Sequence, residues 1–377
     1  MTSNDLIAIL PLIVLVAWAI VLLLVDLWIP RGHKGWTALL AALGLSVALG
    51  LSLAQMGSTA TAFNGMLTID GMGIFLSGLF LVSGLVAIAI AYDYLKRMGI
   101  EKGEYYPLMM FSLSGMVLMG FASDLIVVFL ALELLSIPLY ILSGFARSRP
   151  DSEEAALKYF LLGAFSSGFV LYGSALVFGA TAHTDLSGIV AAVNGASPDN
   201  TPLLLGGAAL ILVGMAFKMA AVPFHNWAPD VYQGAPTSVT AFMAVGAKAA
   251  GIAALLRVFI TAFPSLAPNL SVVIWGISAL TMIVGNVVAI AQSNIKRMLV
   301  YSSIAHGGYL LMAFVAYGQG QVVSNTVGSV LFYLVAYAVT SFGAWAVVSA
   351  VESSEGVGLA LNDYAGIGRK YPILGIA

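Results

Sequence analysis

The chain contains no cysteine, which excludes disulfides, thiolate metal sites, iron–sulfur ligation and cysteine nucleophiles. It is also poor in charge. Only 8% of its 377 residues are Asp, Glu, Lys or Arg, against ~25% in an ordinary soluble domain. With 60% hydrophobic residues and a mean hydropathy of +1.00, it cannot cover a soluble surface and is too apolar for disorder. No G-x-x-x-x-G-K-[ST] run is present, so a P-loop ATPase is excluded, and no Rossmann fingerprint follows a strand. The four histidines are too scattered for a haem pair or a metal cluster. What is left is an integral membrane protein whose few charges must be read by position.

Met1 to Asp5 carry no basic residue, and the apolar run after them, 6–29, is longer than a signal-peptide core, so it is expected to stay as a first transmembrane helix. Spanning the hydrocarbon takes ~20 mainly apolar residues. Eleven stretches qualify: 6–29, 36–56, 72–94, 107–121, 124–145, 156–180, 203–222, 236–262, 271–292, 298–317 and 322–350. Runs such as Leu12 to Leu24 do not alternate in polarity, which argues for helices over barrel strands. The fold class is therefore an all-α, polytopic transmembrane bundle. The last residues, Tyr371 to Ala377, begin another apolar run and stop, so the sequence reads as a fragment lacking at least one helix.

The basic residues test this layout. Eleven of the 15 Lys and Arg lie in every second connection: Arg31, Lys34, Lys96, Arg97, Lys102, Arg147, Arg149, Lys296, Arg297, Arg369 and Lys370. The intervening connections carry none. This positive-inside pattern predicts an outside amino terminus, with the odd-numbered connections in the cytoplasm.

Four bases remain: Lys158, Lys218, Lys248 and Arg257. A charge near the bilayer centre costs at least ~2.5–3.5 kcal/mol, so such residues normally face a protein interior, pair, or line a polar path. Lys248 lies about 12 residues into the eighth stretch and Lys218 about 15 into the seventh, which can continue past a break toward Pro229, so both fall near mid-depth of the membrane; Lys158 sits near the start of the sixth, and Arg257 is expected to snorkel at the end of the eighth. Glu133, about nine residues into the fifth, is the acid that matches them in depth. Buried carboxylates and lysines at one depth on successive helices have the content of a proton relay; the plainer reading is static ion pairs that fix packing.

A second signal is Lys218-Met-Ala-Ala-Val-Pro223-Phe-His225-Asn-Trp-Ala-Pro229-Asp230. Pro223 either ends the helix or breaks it, and broken helices at membrane depth mark ion sites. His225 suits proton transfer there, and His306, on a face with Ser302 and Tyr309, is a relay or a packing residue. Glycines such as Gly163, Gly168 and Gly173 read as close helix contacts.

These motifs resemble a known family. Glu133-Leu-Leu-Ser-Ile-Pro-Leu-Tyr140, Ala155-Ala-Leu-Lys158-Tyr-Phe-Leu-Leu-Gly163, the Lys218 to Pro236 run, and Ile295-Lys-Arg-Met-Leu-Val-Tyr-Ser-Ser-Ile-Ala-His306 resemble the subunit-N (ND-two-like) family of bacterial respiratory complex I, the proton-pumping NADH–quinone oxidoreductase. They are also similar to Mrp-type antiporter subunits. The resemblance implies a fourteen-helix fold with two inverted five-helix repeats. Residues 1–106 would hold helices one to three, 107–262 the first repeat, and 263–377 an incomplete second. It implies that Glu133 pairs with a proton-loaded Lys218, that Lys248 passes protons along a central axis, that Lys158 lies near the cytoplasmic intake or modulates Lys218, and that His306 belongs near the second half-channel. It implies a subunit of an enzyme with no cofactor of its own; NAD, FMN, iron–sulfur clusters and quinone would sit in partner subunits. A sodium–proton antiporter subunit and a structural scaffold with buried ion pairs stay open.

Overall fold

The structure, a computed structural model, describes residues 3–194, 201–353 and 357–376. Its helices follow the apolar stretches: α1 (Leu10–Val25), α2 (Gly35–Ala54), α3 (Gly71–Arg97), α4 (Tyr105–Phe121), α5 (Leu125–Ser143), α6 (Pro150–Thr181), α7 (Thr201–Lys218), the short α8 (Trp227–Gly234), α9 (Thr237–Ile260), α10 (Ala267–Ile290), α11 (Ile295–Gly318) and α12 (Val323–Val351). Among the described residues nine helices are long and apolar enough to cross a membrane, and α4 and α7 are shorter apolar helices. The chain is a multi-pass membrane protein. A small hairpin, Ala60–Ala62 with Leu67–Ile69, occupies the connection between α2 and α3.

Polar side chains set several helix starts. Asp70 accepts from the Gly73 N–H at 2.8 Å to open α3, Asp124 from Ile126 at 2.7 Å to open α5, and Asn294 from Lys296 at 2.9 Å to open α11. The Asn294 cap corrects one boundary. Lys296 and Arg297 lie in the first turn of α11 rather than in a loop, and Lys296 is buried with its Nζ donating to the Ala235 carbonyl at 2.7 Å. The sixth helix likewise starts earlier than expected, at Pro150, because Asp151 and Glu153 in its first turn complement the helix dipole.

Helices approach closely where glycine permits. A Cβ on Gly173 of α6 would sit 2.7 Å from the Gly207 carbonyl of α7, and one on Gly163 would sit 2.2 Å from the Tyr140 hydroxyl of α5. Gly168 departs from the expectation: nothing lies within 4 Å of its Cβ position.

The centre of the bundle is α9, whose apolar window is buried along its whole length. Two π turns interrupt it, Met243–Ala247 just before Lys248 and Leu256–Ile260 around Arg257. Such turns insert a residue and re-aim the side chains beside them.

Arg257 does not snorkel. Its guanidinium is 5% exposed, makes two 2.7 Å hydrogen bonds to the carboxylate of Asp70 and donates from Nε to the Gly120 carbonyl at 2.8 Å. Three helix ends are thereby tied together. Burial pushes the Asp70 carboxyl up, but the hydrogen bond and charge of Arg257 outweigh it and hold the group below the usual carboxylate range. The pair's contribution is present above that range and is lost as the pH falls through the lowered pKa. Asp70→Asn keeps the cap acceptor but leaves Arg257 without an anion. Because Asp70 is 31% exposed, the expected loss is roughly 1–3 kcal/mol, below that of a fully buried pair, measured as a lower unfolding temperature of the detergent-solubilised protein.

Candidate functional site

Helix α7 ends at Lys218. Ala220 adopts φ 56°, and the Ala221 N–H returns to the Ala216 carbonyl at 2.8 Å while Ala220 returns to Phe217 at 2.9 Å. This closure usually uses glycine at the left-handed position. The chain then runs through Pro223 and resumes helix at Trp227. The backbone groups freed by the break find partners: Val222 N–H donates to the Thr281 hydroxyl of α10 at 2.9 Å, and the Trp227 indole donates to the Phe217 carbonyl at 3.1 Å. Pro223 therefore interrupts a helix, as the sequence allowed; Ala221, Val222 and Trp227 at the edges of the interruption are buried, whereas Pro223 and Asn226 are exposed on this chain.

Lys218 is 6% exposed. Its Nζ donates to Ser136 Oγ of α5 at 2.7 Å and to Tyr159 Oη of α6 at 3.2 Å. Tyr159 is held by stacking on Trp227, with centroids 4.7 Å apart, and by an edge contact with Tyr140. The expected Glu133–Lys218 ion pair is not made. Ser136 rather than Glu133 meets the lysine, and Glu133 lies one turn earlier on the same face of α5, half-buried. Among the described residues its Oε1 is buried with no hydrogen-bond partner. A buried carboxylate oxygen left in this way is a strong local demand for a proton or water.

Lys248, 3% exposed, donates to both the carbonyl and the hydroxyl of Ser303 on α11. Tyr337 of α12 donates to Ser303 Oγ at 2.7 Å, and its ring lies 5.0 Å from that of His306. His306 Nδ1 is 2.5 Å from Tyr333 Oη. The structure thus puts Lys248 and His306 in one polar group, joined through Ser303 and Tyr337. The two lysine sites adjoin: a Cβ on Gly251, one turn after Lys248, would meet the Lys218 stem at 3.6 Å.

Two candidates fall outside these groups. Lys158 is not a buried partner of the other lysines. It is 39% exposed and pairs with Glu154 at 2.6 Å and Asp230 at 2.7 Å, beside a charged cavity of about 200 Å³. His225 is half-buried, with its ring 6.4 Å from Tyr301 and its Nδ1 without a hydrogen-bond partner among the described residues.

Sequence reasoning weighed ionisable groups and passed over the neutral ones that hold them: Ser136, Tyr159, Ser303 and Tyr337. The usable signals were position, since Ser136 is one turn from Glu133 and Tyr159 adjoins Lys158. It also missed Glu352. This residue, 1% exposed, accepts from Thr237 Oγ1 and from Tyr94 Oη at 3.2 Å and lies 3.5 Å from Arg149. A carboxylate at the first residue of α9 complements the dipole of that buried helix.

The profile of a family described as "NADH:quinone oxidoreductase/Mrp antiporter, TM" matches residues 122–377. The chain is 48% identical over 370 residues to NADH-quinone oxidoreductase subunit N of Chloroflexus aggregans, covering 97% of this chain and 75% of that one. It is similar to a chain of respiratory complex I from Thermus thermophilus, with a TM-score of 0.79 and 36% identity, covering 97% of this chain and 76% of that chain. A chain of the Mrp complex from Dietzia sp. gives the same TM-score at 18% identity, over 93% of this chain and 65% of its own, and speaks for the fold alone.

Proposed function

The chain belongs to the subunit-N family of NADH–quinone oxidoreductases, within the larger group shared with Mrp antiporters, and on that premise we propose that it moves protons along its own buried side chains while partner subunits oxidise NADH and reduce quinone. The observation that carries this reading is the setting of Lys218 and Lys248. Each is buried, each is held by hydroxyl or carbonyl oxygens, and the two adjoin across Gly251. Neutral oxygens accept from an ammonium or from an amine N–H, so each cage serves the lysine with or without its extra proton. A static ion pair would not. The proton route runs from Glu133 past Ser136 and Tyr159 to Lys218, on to Lys248, and then along Ser303, Tyr337 and His306. Water fills the gaps. His225 stands beside the break, and Lys158 at the charged cavity acts on the intake side.

The amino terminus faces outward, as the basic residues favour, and the membrane is the bacterial inner (plasma) membrane, as the likeness to bacterial subunit-N chains supports. Residues 107–262 act as one repeat, holding Glu133, Lys218 and Lys248, and 263–377 as an incomplete, inverted second one that holds Ser303, His306 and Tyr337. NAD, FMN, iron–sulfur clusters and quinone belong to partner subunits.

In inside-out membrane vesicles, NADH should drive acidification in sodium-free medium. Acidification that needs sodium would favour the antiporter reading instead. Ser136→Ala removes one of the two partners of the Lys218 Nζ. An unsatisfied buried donor costs ~1–3 kcal/mol, so proton movement is expected to slow about tenfold with the complex still assembled.

A further inference from the structure

The Lys158–Asp230–Arg297 group joins three elements that no single motif contains. Asp230 of α8 gives one carboxylate oxygen to Lys158 of α6 at 2.7 Å and the other to Arg297 of α11 at 2.9 Å. Arg297 is steadied by the Gln233 side-chain oxygen at 2.8 Å. From this carboxylate two lines of contact lead inward. One runs through Trp227, a turn earlier on α8, which stacks on Tyr159 and donates to Phe217, the residue before Lys218. The other runs along α11 from Arg297 to Ser303, about 9 Å further on, which holds Lys248.

We propose that Asp230 is an ionic clasp that couples the Lys218 site to the Lys248 site, so that a shift of α8 at one lysine is felt at the other through α11. The clasp rests on the proton-relay reading above. Its parts are suited to moving. The three side chains are 31–39% exposed, where ion pairs add little to stability, so folding has little need of them. Lys158 has a second carboxylate, Glu154, at 2.6 Å. It can leave Asp230 without losing a counter-ion, while Asp230 keeps Arg297. That gives the group two arrangements, the physical requirement for coupling between sites. Asp230 is thus a positioning residue that acts through Trp227 and Arg297.

The test uses Asp230→Asn, Arg297→Gln, the double variant and Asp230→Glu in the assembled complex in membrane vesicles. Protons moved per NADH and the amount of assembled complex are measured together. Each single substitution should lower protons per NADH at least twofold at unchanged assembly. The double should be no worse than either single, and Asp230→Glu should recover more than half of the loss. Wild-type ratios in the singles, losses that multiply in the double, or failed assembly in both singles would each overturn the clasp. Lys218→Ala run alongside separates the two ideas: a wild-type ratio there removes the relay and the clasp with it, whereas a lowered ratio there with normal Asp230→Asn removes the clasp alone.

Discussion

Lys218→Ala is expected to abolish the share of proton movement carried by this subunit, lowering protons moved per NADH while the complex still assembles. The lysine is the point at which α5, α6 and α9 converge: Ser136 and Tyr159 take its Nζ, and Gly251 lies on its stem. Alanine removes the proton carrier and also opens a cavity, and a buried large-to-small change alone costs ~2–5 kcal/mol. Lys218→Met separates the two effects, since it restores most of the volume with no titratable group. Both variants should pump alike if the amine is the working part. A methionine variant that pumps at the wild-type ratio would reduce Lys218 to a packing residue and take the relay with it.

How much of this was legible beforehand follows from what a sequence exposes. The break at Pro223 was legible because proline and the following polar run are local signals, and the structure closes the break with local hydrogen bonds to Phe217 and Ala216. The depth of Lys218 and Lys248 was legible because depth is a count along a helix. Which way each side chain faces was not. In a lipid-embedded bundle the outward and inward faces are equally apolar, so no amphipathic stripe marks the core, and α9 is apolar all round because it is buried all round. For that reason the sequence alone points to a snorkelling Arg257, although the residue meets Asp70, 187 positions away. Lys296 likewise reads as a loop base, although it is buried against Ala235. The Glu133–Lys218 pairing failed for a finer reason. Two residues one turn apart on α5 compete for the same lysine, and only the rotation of the helix decides that Ser136 reaches it.

That rotation depends on a contact whose disruption should have the largest structural effect. Gly115 of α4 lies against the backbone of α5: a Cβ there would sit 2.3 Å from the Leu135 amide nitrogen and 2.8 Å from both the Leu134 carbonyl carbon and Leu135 Cα. Ordinary contacts of this kind are no closer than about 3.4 Å, and backbone inside a packed bundle cannot swing aside as a side chain can. Beside it Ser112 donates to the Leu135 carbonyl at 2.8 Å, a bond that survives only at this separation. Even Gly115→Ala must therefore push α5 away by about an ångström, and Gly115→Val by more, at a cost of several kcal/mol. Ser136 follows Leu135 directly, so the displacement is delivered to the partner of Lys218. Gly115→Val is expected to leave little subunit in the membrane by immunoblot. Gly115→Ala should accumulate in reduced amount and pump fewer protons per NADH. Gly168→Ala, with nothing within 4 Å of its Cβ position, should match the wild type in both respects and serves as the control. Wild-type accumulation of Gly115→Val would mean that α4 does not set the rotation of α5, and the account of why Ser136 displaces Glu133 would fall with it.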